Sequence, residues 1–186
     1  MKTKTPATIE DLYKVEGQAE LVNGRIVRMP LHVGYVAHVI GNVKISLYNY
    51  SDNGGKKGYA FGSTVAYVVD LPHREAFCPD LAFYTPTGKL SGKFPVGAPV
   101  FVIEIRDPGS FGPAADRKLA AKIKDYFDAG TQIVWDVDVL RDRVIRSYRA
   151  TNPDEPTIYK EDDVADAEPA VPGWSMPVDE IFSLRR

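Results

Sequence analysis

The sequence predicts an α/β or α+β fold, a mixed β-sheet flanked by helices, on three observations. Short runs rich in β-branched and aromatic residues, FCPDLAFY at 77–84, VFVIEIRD at 100–107 and TQIVWDVD at 131–138, read as buried strands. Helix-period apolar stripes lie over 33–50 and 114–130. Asn23-Gly24 between two β-rich runs signals a type I′ hairpin, and IVWDVD followed by RVIRSYRA predicts another across VLRD.

In order, Thr8 and Asp11 resemble a capping box opening a short helix, IEDLYKV. In the hairpin AELVNGRIVRMP a two-residue turn sets Val22 opposite Arg25 and Glu20 opposite Val27. Glu20 is thus either an edge residue or an interior acid. Val36, Val39 or Ile40, Val43 and Leu47 give the second helix its stripe, and SDNGGKKG ends it. GYAFGSTVAYVVDLP holds one or two strands, most clearly 65–70, and TPTGKLSGKFPVGAP is a long loop. Leu119, Ile123, Tyr126 and Phe127 form the buried stripe of the third helix. Trp135 and Trp174 read as core anchors, and the acidic, Pro-rich end is expected to attach through Tyr159, Trp174 and Ile181-Phe182.

With 186 residues and 44% hydrophobic composition the chain suits one sizeable core, so a single domain over 1–186 is expected, loose at 1–7 and 161–170. A net charge of −2 and a pI of 5.9 exclude nucleic-acid binding by bulk positive charge but not a nuclease, whose metal site must itself be acidic. The lone Cys78 excludes an internal disulfide framework and a cysteine-based zinc site. No apolar run reaches the roughly 18 residues of a membrane span, and MKTKTPATIEDL lacks an apolar signal core. A cytoplasmic protein with no membrane partner is expected.

Asp80 and Glu104 stand out because each interrupts an apolar strand run. A carboxylate taken out of water is normally paired, hydrogen-bonded or metal-bound. Two acids on neighbouring strands repel unless a cation sits between them, and Mg²⁺ prefers hard oxygen ligands with several waters. The following helix offers Lys118, Lys122 and Lys124 beside such a centre. On a helical wheel Lys122 and Lys124 flank the buried stripe on opposite sides, so periodicity does not choose between them. His32 and His73 lie beside loops and carry no signal, and His38 reads as a satisfied helix histidine rather than a ligand. Lys56, Lys57, Lys89 and Lys93 come from loops that could line a cleft.

PDLAFY, then EIRDP after an apolar strand, then KIKDYFDAG, then IVWDVD resembles the Uma-type family of restriction endonucleases within the PD-(D/E)XK nuclease superfamily. AELVNGRIVRMP, His38 and VPGWSMPVDEIF extend the resemblance over roughly residues 8–182. It implies a restriction-endonuclease-like core and a Mg²⁺-dependent DNA endonuclease, with Mn²⁺ able to stand in, nucleic acid as partner and a homodimer as the assembly. It also implies roles for particular residues. Asp80 and Glu104 would be the metal ligands, Lys122 the catalytic lysine displaced onto the helix, and Glu20 the additional acid. Arg106 and Lys118 depart from the family pattern. Arg106 sits two residues after Glu104 on the same strand face, where it would clamp a phosphate or neutralise Glu104 or Asp107. Lys118 stands where the family tends to have an aspartate and is a second candidate for the substrate. Two alternatives fit the same residues: a non-catalytic binding or assembly module that keeps the fold, and a metal-free carboxylate-pair hydrolase acting on sugars.

Overall fold

The structure, a computed structural model, describes residues 5–184. The Thr8–Asp11 capping box starts helix α1 (Ile9–Leu12), and β1 (Ala19–Val22) turns into β2 (Arg25–Arg28) with Val22 opposite Arg25 and Glu20 opposite Val27. Asn23 and Gly24 hold φ of 51° and 61°, the left-handed pair that a type I′ turn requires. Helix α2 (Gly34–Asp52) buries Val36, Val39, Ile40, Val43 and Leu47, the whole expected stripe. Then follow β3 (Tyr59–Gly62), β4 (Tyr67–Leu71), β5 (Arg74–Phe77), β6 (Leu81–Tyr84) and β7 (Phe101–Ile105). Helix α3 (Pro113–Asp128) leads to β8 (Ile133–Asp138), β9 (Val144–Arg149) and β10 (Asn152–Tyr159). The chain closes with β11 (Val164–Asp166), β12 (Ser175–Pro177) and α4 (Val178–Phe182).

The strands form a six-stranded mixed sheet, β10-β9-β8-β7-β6-β3, a four-stranded sheet, β2-β1-β5-β4, and the small pair β11-β12. In the six-stranded sheet only β7 and β8 run parallel, and α3 makes the crossover between them. Period-2 alternation then divides the core. Phe101, Ile103 and Ile105 join Trp135, Trp174, α2 and α4 on one face, while Val102 and Val134 pack with Ile123 and Tyr126 of α3 on the other. Glu104 shares the parity of Val102, so it points to the α3 side. The sheet is covered on both faces, so an acid there is largely withdrawn from solvent.

Three expectations are corrected. FCPDLAFY is not one strand: β5 ends at Phe77 in the four-stranded sheet and β6 begins at Leu81 in the six-stranded one. Pro79, which lacks an N–H, falls at the crossing, so the ladder cannot continue through it. Asp80 is the last residue before β6. Second, residues 161–170 are not loose, since they carry β11 and the fully buried Ala165, Ala167 and Ala170. Third, the Pro-rich segment after β9 forms β10, which prolines permit because it is an edge strand. Trp135 and Trp174 are core anchors, 5.5 Å apart between ring centroids.

The hairpin that carries Glu20 depends on Gly24, where an added Cβ would lie 2.7 Å from Pro6 Cβ in a left-handed backbone. Gly24→Ala should lower stability by about 1 kcal/mol or more. Urea unfolding with an unchanged midpoint would show that the turn is not under this constraint.

Candidate functional site

The centre of the site is Lys122, a fully charged side chain buried under the six-stranded sheet. Its Nζ lies 2.8 Å from Glu104 Oε2 on β7 and 2.8 Å from Glu20 Oε1 on β1. Lys124, two residues on, is exposed and pairs with Asp128 across one helical turn. The packing of Ile123 and Tyr126 on the sheet decides which lysine turns inward. Burial alone would lower the Lys122 pKa, but the two carboxylates win and hold it above the usual lysine range, so it stays protonated.

Each glutamate has a second donor. Glu104 Oε1 accepts from the Tyr126 hydroxyl at 2.6 Å. Glu20 Oε2 accepts from Arg74 Nη1 at 2.7 Å, and Glu20 Oε1 from the Cys78 N–H at 3.2 Å. Arg74 in turn donates from Nε to Asp125 Oδ2 at 2.9 Å, and His73 Nε2 lies 2.7 Å from Asp125 Oδ1. Burial pushes the Glu20 carboxyl up, yet Lys122 and Arg74 outweigh it and hold it below the usual range. For Glu104 burial prevails over the pull of Lys122, with Asp80 and Glu20 adding to the rise. Burial, with Glu20 adding to it, also pushes the Cys78 thiol up to about 12, which leaves it inert as a nucleophile.

Asp80 is fixed from two sides. Its Oδ2 accepts the Ile105 N–H at 2.7 Å, and His32 Nε2 lies 3.1 Å from its Oδ1. The other His32 nitrogen lies 2.9 Å from Asp107 Oδ2. The close approach of the Asp80 carboxylate outweighs the opposing effect of burial, and the hydrogen-bonded Asp107 adds to it, raising His32 from 6.5 to about 9. His32, like Arg74 and Tyr126, is a site residue that sequence reasoning missed; the LHVG stretch has no periodicity to place it. His38 instead lies 3.0 Å from the Ser183 carbonyl, beside α4.

Asp80, Glu104, His32, Asp107 and Lys118 line one cleft of about 350 Å³. A smaller cavity of about 160 Å³ adjoins it, sharing Glu104 and Lys118 and adding Arg106 and Lys122. The site thus brings together Asp80, Glu104, Lys122 and, behind the lysine, Glu20. Lys56, Lys57, Lys89 and Lys93 do not line either space. Arg106 neutralises neither Glu104 nor Asp107. It binds Asp136 with Nε at 2.7 Å and Nη2 at 2.8 Å, and Asp116 with Nη1 at 2.6 Å. The parallel register sets Asp136 directly beside Glu104, and the fully buried Asp136 needs that fork. A larger hollow of about 710 Å³ on the same α3-covered face is lined by Arg106, Arg141, Arg146 and several aspartates, and holds neither Asp80 nor Glu104.

Among the described residues, no group of three or more His, Cys, Asp or Glu side chains is set as a metal centre. The donor chemistry nonetheless fits Mg²⁺, which takes one or two carboxylates and keeps its waters. Asp80 and Glu104 offer two such carboxylates in one cleft, and Asp107 Oδ1 is a buried oxygen without a hydrogen-bond partner.

The fold is thus a mixed sheet covered by helices, with an acid-and-lysine cleft where the chain passes between sheets. A protein from Anabaena variabilis ATCC 29413, described as "a putative nuclease belonging to DUF820", shares it with a TM-score of 0.73 at 17% identity, over 95% of this chain and 98% of that one. The Uma2 family model, "Putative restriction endonuclease", matches residues 7–179, and the chain belongs to that family. No curated protein matches it. Among the described residues no helix is long and apolar enough to cross a membrane.

The folded protein holds the His32 proton more tightly than the unfolded chain does. Its stabilising contribution is therefore complete below about pH 6.5 and is lost as pH rises through about 9. Thermal melting in metal-free buffer should show wild type losing stability across that window relative to His32→Gln; parallel pH profiles would contradict the pairing. Arg106→Leu should cost about 2–3 kcal/mol in chemical denaturation, because it removes the fork on buried Asp136 and leaves only Arg146, 3.7 Å away, to compensate the charge. A loss under about 1 kcal/mol, the value of an exposed pair, would free Arg106 from this structural part.

Proposed function

We propose that the protein is a Mg²⁺-dependent endonuclease acting on DNA, and that the Asp80–Glu104–Lys122 cleft is its active site. The observation that carries the reading is a buried, protonated lysine bonded to an acid in the cleft that a second acid lines. Asp80 and Glu104 are the residues that would hold the ion, which when bound polarises the phosphoryl oxygen and lowers the pKa of a coordinated water. Lys122, kept charged by Glu20 and Glu104, orients the attacking water and stabilises negative charge developing on the phosphate. It is no general base in this setting. His32 steadies Asp80 and adds a cation to the cleft wall. Lys118, exposed on α3 at the rim, meets a flanking phosphate. Arg106 shapes the turn between β7 and α3 through Asp136 and Asp116. A homodimer, one site per strand, goes with this reading.

A second reading is a binding module that keeps the nuclease fold without cutting. It is favoured by the internal pairing of Lys122 and both Glu104 oxygens, which makes the cluster self-sufficient.

Plasmid cleavage with Mg²⁺ separates the two. Asp80→Asn and Glu104→Gln should each slow cleavage by at least about 100-fold while circular dichroism stays native, whereas Lys122→Met should abolish cleavage and also lower the melting temperature by leaving buried Glu20 and Glu104 without their shared cation. Wild type that binds DNA yet never cuts it would select the second reading. Cutting that survives all three substitutions would place the active site elsewhere.

A further inference from the structure

Tyr126 has a polar atom that neither cleft uses. The side chain is fully buried, its ring is stacked on Phe77 at 4.1 Å between centroids, and its neighbours otherwise form the apolar cluster between α3 and the sheet. It lines neither cleft, so it does not touch a substrate. Its hydroxyl nevertheless donates to Glu104 Oε1 at 2.6 Å, opposite the Lys122 contact on Oε2 at 2.8 Å.

We infer that Tyr126 is a positioning residue that fixes the rotation of the Glu104 carboxylate. The terminal torsion of a glutamate is broad, so one contact does not define it. Lys122 supplies one contact, and its ammonium is shared with Glu20, itself held by Arg74 and the Cys78 N–H. The phenol supplies a second contact, from a ring that packing keeps still. With one donor on each oxygen, the remaining lone pairs of Glu104 are the ones available to the cleft that it lines. An outer partner of this kind sets both the aim and the basicity of a ligand. The inference rests on the reading of Asp80 and Glu104 as a metal site.

Tyr126→Phe keeps the ring on Phe77 and removes only the donor. The variant should fold as wild type by circular dichroism and thermal melting. Its calorimetric affinity for Mn²⁺ should fall about 10- to 100-fold, and the Mg²⁺ concentration for half-maximal cleavage should rise by the same factor. At saturating Mg²⁺, kcat should stay within about threefold of wild type, the split expected when ion binding alone is weakened. Three results would overturn the inference: unchanged Mn²⁺ affinity and half-saturation, a fall in kcat with unchanged metal dependence, or a variant that fails to fold. Wild type that neither binds Mn²⁺ nor cleaves would instead refute the metal-site reading itself, and the role of Tyr126 with it.

Discussion

A buried ammonium between two carboxylates is the constraint on which the rest of this structure depends. Lys122 takes its partners from two different strands, Glu20 on β1 and Glu104 on β7, so one helix residue ties the four-stranded sheet to the six-stranded one. Charges in such a place are tolerated only when every one of them is paired. The pairing therefore propagates: Glu20 needs Arg74, Arg74 is shared with Asp125, and Asp125 meets His73 at the surface. Each step is a contact between elements far apart in the chain.

A second ionic system lies beside the first and is kept separate from it. The β7–β8 register sets Glu104 and Asp136 side by side, two carboxylates that would repel if they shared a cation poorly. Lys122 serves one and Arg106 serves the other. This division leaves Arg106 occupied by the fold and leaves the Glu104 side of the sheet open to the cleft. Asp80 completes that cleft for a topological reason. The chain changes sheets at Pro79, and the aspartate that follows is caught by the Ile105 N–H at the end of β7. Fold and site are here the same arrangement seen at two scales.

Much of this is legible in the sequence, and what is not has identifiable causes. Period-2 and period-3.6 patterns locate the hairpin, α2, β7, α3 and β8, because each buries a regular face. Asp80 and Glu104 are legible because an acid inside an apolar run is anomalous. Lys122 is not separable from Lys124 by periodicity, since the two flank the stripe equally and only the docking of Ile123 and Tyr126 breaks the tie. His32 and Arg74 are invisible for another reason: their partners lie 48 or more positions away, beyond the reach of any local pattern. Arg106 is misjudged because strand parity gives its face but not the neighbouring strand to which it leans. β10 escapes notice because its prolines suit only an edge, and edge status is a tertiary fact.

The most direct test of the central claim is a crystal of the wild-type protein soaked in Mn²⁺ and measured at an anomalous wavelength. The account predicts a peak bonded to carboxylate oxygens of both Asp80 and Glu104, at roughly the 2.0–2.2 Å of a hard-cation contact. No peak there, in protein that cleaves DNA under the same metal concentration, would contradict it.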